Sequence, residues 1–246
     1  MINHSFFCCL QLLHKIHIIV NKHYLYLFTG EKMTRLYFVR HGKTQWNLEG
    51  RYQGAHGDSP LLPTSINEIK RLATYLHGIK FAHIYTSPLS RTITTAKLLD
   101  EGLGGNIPIT VEQALREFDL GKMEGMTFKD VEKKYPEEVY AFRQAPAQYF
   151  PQRRINGETF TQLINRMTPM IQRAVHADTT GHANLIFVGH GAAFTATIQA
   201  LLGTPLADLR KDGGLTNSSV TIIETNDNGA TYHLIKWNET SFLWDK

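Results

Sequence analysis

Two segments of this chain, LYFVRHG at residues 36–42 and LIFVGHG at residues 185–191, share one plan: an apolar run that reads as a buried strand, then histidine and glycine without a break. Runs this apolar suit strands covered on both faces of a sheet. The carboxyl end of such a strand is where a rigid framework holds reactive groups up to solvent. A lone Arg-His-Gly tripeptide carries little weight, because short motifs recur by chance. Two strands with the same ending carry much more, and they make His41 and His190 candidates to converge on one rim.

The rest of the chain supplies the sheet those strands need. Apolar, β-branched and aromatic runs mark strands at about residues 34–39, 82–86, 107–111, 184–188, 218–224 and 231–237. Helical periods lie between them. Ile66, Ile69, Leu72, Ala73 and Leu76 share one face, with Ser65 and Glu68 at capping-box spacing and Gly78 as a stop. Residues 90–99 and 192–202 read as helices, and Phe160, Leu163, Met167, Met170, Ile171 and Ala174 line another, which Pro169 should kink. Strands alternating with helices require crossover connections. The expected fold is therefore α/β: a three-layer α/β/α sandwich with a largely parallel sheet of about six strands, helices on both faces and a small helical cap insertion. The last two runs flank TNDNGA and read as a hairpin, which makes part of the sheet edge antiparallel.

Composition narrows the function classes. The 246 residues are 42% hydrophobic with a formal charge of +4 and no basic block, so there is no nucleic-acid footprint. Both cysteines and four of the twelve histidines fall in residues 1–32, where no run is long and uninterrupted enough to span a bilayer. We expect this leader to be a disordered tail, or translation to start at Met33, with residues 33–246 forming the domain. No cysteine follows Met33, so no disulfide framework is available and a cytoplasmic location is expected, without membrane attachment. His56, His77, His83, His176, His182 and His233 lack ligand spacing, so no metal site is expected, and Gly102–Gly105 reads as a loop. No oligomerisation signature is evident.

The rim collects more than histidines. HIYTSPLSR brings Arg91 into the first turn of a helix after a third strand, and LREFDLGKMEG places Glu117 just past a fourth. Arg40 and Arg91 offer paired N–H donors to a phosphoryl group. The helix opening after His190 would aim backbone N–H groups at the same anion. A neutral imidazole can attack phosphorus, Glu117 can protonate the leaving oxygen, and the cationic side chains neutralise the phosphoryl oxygens without a metal or other cofactor.

Arg-His-Gly after the first strand, then SPLSR, LREFDLGKMEG and a late GHG, in that order, resemble the histidine phosphatase superfamily, also called phosphoglycerate mutase-like. The resemblance runs from about Met33 onward. It implies that His41 is the nucleophile and forms a phosphohistidine, that Arg40, Arg91 and His190 form the phosphate pocket, and that Glu117 is the proton donor. KTQWN and RYQG match the family's phosphate loop and bring in Asn47, Gln53 and Gly54. The free nitrogen of His41 then requires its other N–H to donate to a backbone carbonyl.

The family contains phosphatases and cofactor-dependent phosphoglycerate mutases. The mutases resemble Glu-Arg-His-Tyr-Gly around the glutamate, whereas here Glu117 is followed by Phe118, Asp119, Leu120 and Gly121, which looks like the phosphatase branch. The implied activity is that of a histidine acid phosphatase-type phosphoric monoester hydrolase acting on a small phosphorylated metabolite; a mutase or a phosphate-binding module without turnover are the alternatives. Residues 127–157 are the candidate cap. Its lysines Lys129, Lys133 and Lys134 read as a solvated face, while Arg143, Arg153 and Arg154 with Tyr149 and Phe150 are candidates to grip an anionic organic substrate.

Overall fold

The computed structural model describes residues 33–244; the expected leader, 1–32, lies outside the described residues. Among the described residues six strands form one sheet: β1 (Thr34–Arg40), β2 (His83–Thr86), β3 (Ile109–Val111), β4 (Asn184–Gly189), β5 (Val220–Thr225) and β6 (His233–Glu239). Their spatial order is β3-β2-β4-β1-β5-β6. The first four are mutually parallel; β5 pairs antiparallel with β1, and β6 pairs antiparallel with β5 at the edge of the sheet.

Period-2 alternation divides the core between two faces. From β1 and β4, Leu36, Phe38, Leu185 and Phe187 enter one core, while Tyr37, Val39, Ile186 and Val188 enter the other. Among the described residues seven α-helices follow in chain order: α1 (Gln45–Leu48), α2 (Pro63–Tyr75), α3 (Ser90–Leu103), α4 (Phe128–Lys134), α5 (Pro136–Gln144), α6 (Phe160–His176) and α7 (Gly191–Leu201). Helices α2 and α3 cover the second face through Ile69, Leu72, Ala96 and Leu99. Helices α6 and α7 cover the first through Leu163, Met167, Phe194 and Ile198, and α5 adds Val139 and Phe142. The expected α/β/α sandwich is the observed one.

Local expectations fare unevenly. Helix α6 opens with a capping box between Thr159 and Gln162 and continues through Pro169. The box expected at Ser65 and Glu68 does not form, because Pro63 already sets the first turn of α2. Ser65 is instead buried inside the helix, donating to the Lys43 carbonyl, and Glu68 accepts from Ser218 Oγ. Both side chains are thus spent on fastening α2 beneath the loops that follow β1 and precede β5. Gly104 closes α3 with φ 117°, so the Gly102–Gly105 stretch serves as a helix exit.

Candidate active site

Parallel pairing of β1 with β4 sets Arg40 opposite Gly189, so the next residue of each strand, His41 and His190, stand side by side. Their ring centroids are 5.3 Å apart at 64°. His41 Nδ1 lies 2.7 Å from the Gly42 carbonyl. A carbonyl only accepts, so this nitrogen carries the proton and Nε2 is left with its lone pair free. Burial, reinforced by the Arg91 and Arg40 charges, holds the imidazole pKa well below its ordinary value. The ring is therefore neutral at pH 7, the form that attacks an electrophile.

His41 opens on a cavity of about 210 Å³ whose lining includes Arg40, Asn47, Gln53 and Glu117. Arg40 donates through Nη1 to the Leu215 carbonyl, while its buried Nε finds no partner among the described residues. Burial lowers its pKa to about 10, so it stays cationic at neutral pH. Gly191 makes its placement possible, since a Cβ there would lie 3.0 Å from Arg40 Nε. Asn47 Oδ1 accepts from the Thr44 N–H and from Asn217, which leaves the amide NH₂ to a ligand. Gln53 lines the cavity, but Thr44 and Ser59 hold both ends of its amide.

Arg91 and His190 stand one layer deeper, outside the cavity lining. Arg91 is 1% exposed, and a buried guanidinium needs acceptors on every side. It donates to the Gly54 and Gly57 carbonyls and to Asp58, and through Nη2 to His190 Nδ1 at 3.2 Å. That acceptor role fixes the His190 tautomer, whose Nε2–H then donates to Ser87 Oγ at 2.8 Å. Burial, with Arg91 next, holds the His190 pKa well below its usual value as well. Of the three Arg91 guanidinium nitrogens, the buried Nε alone has no partner among the described residues. Gly54 also lies outside the lining. Its glycine is demanded by packing, because a Cβ would fall 2.2 Å from Glu124 Oε1 and 2.7 Å from the Phe118 carbonyl. Glu124 has a structural part here, accepting from the N–H groups of His56, Gly57 and Leu120.

Glu117 departs from expectation in an informative way. The first N–H groups of α7 do not point at an open anion site; Ala192 donates to Oε2 at 3.1 Å and Ala193 to Oε1 at 2.8 Å of this carboxylate. The residue occupies the helix N-terminus as an anion would. Its own neighbour, Phe118 N–H, adds a third bond, and Arg166 clamps its carbonyl. Burial still outweighs these donors and raises the pKa above the ordinary carboxyl value. A carboxyl poised this way is suited to give up and take back a proton.

The cap stretch contributes Phe128 from α4 and Phe142 and Arg143 from α5 to the cavity wall. Arg153 and Arg154 do not reach it. Arg154 pairs with Glu137 and Glu138, and Tyr149 is a core residue packed on Phe142 and Phe160. Several lining residues had no role assigned from the sequence, among them Arg51, Tyr52, Arg210, Gly214 and Leu215. RYQG flagged the neighbours of Arg51 and Tyr52, but Arg210 sits in a charged loop after α7 with no motif around it.

The sequence profile of the histidine phosphatase superfamily (branch 1) matches residues 36–240. The chain belongs to that superfamily. An uncharacterized phosphatase, PhoE, of Bacillus subtilis (strain 168) is 30% identical over 171 residues, 70% of this chain and 79% of that protein. A probable phosphoglycerate mutase, GpmB, of Cronobacter sakazakii (strain ATCC BAA-894) is 31% identical over 174 residues, 70% of this chain and 77% of its own. Among solved structures, Bacillus stearothermophilus YhfR superposes with a TM-score of 0.78 at 34% identity, covering 86% of this chain and all of the other. This superfamily member therefore resembles both a phosphatase and a mutase. Among the described residues, no helix is long and apolar enough to cross a membrane.

Proposed function

We propose that the protein is a phosphoric monoester hydrolase that acts on small phosphorylated metabolites in two steps through a phosphate carried on His41. The observation that carries this reading is the bond from His41 Nδ1–H to the Gly42 carbonyl, which presents Nε2 to a cavity shared with Arg40 and Glu117. In the first step Nε2 bonds to phosphorus, the P–O bond to the alcohol breaks, and Glu117 gives its proton to the departing oxygen. In the second step Glu117 takes a proton from water, the water oxygen bonds to phosphorus, and the N–P bond breaks. Arg40 holds the phosphoryl oxygens through its unpartnered Nε, and Arg91 and His190 brace His41 from behind. The cavity has room for a small organic phosphate and its walls are local, which suits a metabolite.

The test is phosphate release from p-nitrophenyl phosphate in EDTA by wild type and His41→Ala, side by side. Turnover by wild type alone supports the reading; turnover retained in full by His41→Ala overturns it. The similarity to GpmB favours a second reading, a phosphoglycerate mutase. Exchange between 2- and 3-phosphoglycerate that depends on a bisphosphorylated primer, with little net phosphate release, would select it.

A further inference from the structure

The segment that leads into β5 carries no recognisable motif, yet it fastens three residues of the site. The Leu215 carbonyl accepts from Arg40 Nη1, and the Ser219 carbonyl accepts from the Arg40 main-chain N–H at 3.2 Å. The His41 carbonyl accepts from the Ser218 N–H at 3.3 Å and from Asn217 Nδ2 at 3.1 Å. That same Asn217 nitrogen lies 3.2 Å from Asn47 Oδ1. One side-chain NH₂ thus joins the main chain of the nucleophile to a side chain of the cavity wall, across 176 and 170 positions of sequence.

The direction of these bonds follows from their partners. A carbonyl only accepts, so the Asn217 atom that faces His41 is the NH₂ and not the amide oxygen. The NH₂ has two hydrogens, and the second goes to Asn47. There the Thr44 N–H, 3.2 Å away, also needs an acceptor, so the Asn47 atom between these two donors is Oδ1. The Asn47 NH₂ is left for the cavity, which Asn47 lines together with Arg40 and His41. The Thr44 bond selects which end of the amide faces inward; the Asn217 bond is the second anchor that holds the amide against rotation.

The segment is itself held firmly. Thr216 and Asn238 of β6 exchange two bonds, from the Thr216 N–H to Asn238 Oδ1 at 2.7 Å and from Asn238 Nδ2 to Thr216 Oγ1 at 3.2 Å. Ser218 Oγ donates to Glu68 of α2 at 2.9 Å. Between these anchors Ser218 takes φ 60°, a left-handed conformation that is costly for serine and persists where the surroundings over-determine it. The strained residue directly follows Asn217.

We infer that Asn217 is a positioning residue for phosphoryl transfer: its NH₂ keeps the His41 main chain and the Asn47 amide in one frame, so that the Asn47 NH₂ meets an oxygen of the phosphoryl group that His41 attacks. This rests on the placement of that group at His41 under the proposed function. Asn217 itself touches no reacting atom. It is half-buried, and in its absence the Ser218 N–H still serves the His41 carbonyl, so the fold does not depend on it and the effect of its loss passes chiefly through Asn47. Asn217→Asp keeps the shape and reverses the polarity, turning lone pairs toward two acceptors.

The test is titration calorimetry with orthovanadate, a mimic of the phosphoryl group in transfer, on wild type, Asn47→Ala, Asn217→Ala, Asn217→Asp and the double variant that combines both alanine substitutions. Asn217→Ala should bind about tenfold more weakly than wild type, Asn47→Ala at least as weakly, and Asn217→Asp more weakly still. Because Asn217 acts through Asn47, the double variant should bind within about threefold of Asn47→Ala, whereas independent contributions would multiply to about a hundredfold loss. A side chain that merely supports the fold would not show this dependence on Asn47. Wild-type affinity in both Asn217 variants overturns the inference, and so does a multiplied loss in the double variant. Urea unfolding checks the fold of each protein, and loss of the fold in both Asn217 variants would make the role structural and overturn the inference too. No vanadate binding by wild type would overturn the placement of the phosphoryl group and this inference with it; binding by wild type that ignores residue 217 overturns this inference alone.

Discussion

Replacing Glu117 by glutamine exchanges one carboxylate oxygen for an NH₂ group, and the surrounding donors decide how that group is received. Oε1 accepts from Phe118 and Ala193, so the amide oxygen takes that position. The NH₂ then faces the Ala192 N–H, one bond is lost, and two donors confront each other. A lost charge-assisted bond costs about 1.5–3 kcal/mol. Against this, the raised pKa shows that burial disfavours the ionised carboxylate despite its three donors, so removing the charge offsets part of the loss. The net destabilisation should stay under about 2 kcal/mol, and the variant should fold. Chemistry should suffer far more, and selectively. General acid catalysis contributes roughly 100- to 10,000-fold, or about 3–5 kcal/mol of barrier. An alkoxide needs that proton in order to leave, whereas p-nitrophenolate does not. The assay is kcat/KM, which covers steps only up to transfer of phosphate to His41, for glycerol phosphate and for p-nitrophenyl phosphate. Glu117→Gln should lose about two or more orders of magnitude on the first and about tenfold or less on the second. Equal losses on both substrates would refute the assignment of Glu117 as proton donor.

Other consequences can be measured directly. His41 and His190 both have pKa values below the ordinary 6.5, so as pH falls past that value the unfolded chain binds protons that the native rings refuse. Stability is present in full above pH 6.5 and falls toward pH 5 by about 2.7 kcal/mol per pH unit, or about half that where protonation of Glu117 opposes it; urea unfolding at several pH values should show the slope, and a flat profile would contradict the buried neutral pair. Gly54→Ala drives a Cβ to 2.2 Å from Glu124 Oε1, and overpacking of this kind should cost about 1–3 kcal/mol, read as a shifted urea midpoint. Asp58→Asn removes the one carboxylate paired with buried Arg91 and should destabilise by about 1–3 kcal/mol, with a fall in kcat as Arg91 and His190 lose their setting. Arg153→Ala with Arg154→Ala should leave KM unchanged for anionic and neutral phosphoesters alike, because neither side chain reaches the cavity.

The sheet and its rim were legible because their signals are local. A strand's apolar run, its terminal His-Gly and the helix beyond it lie within a dozen residues, so Arg40, His41 and His190 could be placed before any tertiary contact was known. Glu117 was legible as to place but not as to company: the bonds from Ala192 and Ala193 join residues some 75 positions apart. Contacts distant in sequence also hid the division of labour between the two arginines. Nothing near Arg91 shows that Asp58, Gly54, Gly57 and His190 use up its terminal donors, while Arg40 keeps Nε for the cavity. Gly54 illustrates the converse, a residue noted for function whose requirement is steric. Arg210 was illegible altogether, since its place over Phe142 depends on how the loop after α7 meets the cap helix α5.

The central claim is that phosphate passes through His41 Nε2. Acid-free quenching of the enzyme during turnover of a radiolabelled phosphomonoester in EDTA, followed by peptide mapping, tests it directly. The account predicts an acid-labile, base-stable label on the peptide that contains His41, absent in His41→Ala, and its disappearance as labelled phosphate is released. Steady turnover with no labelled histidine, or with the label on another residue, would contradict it.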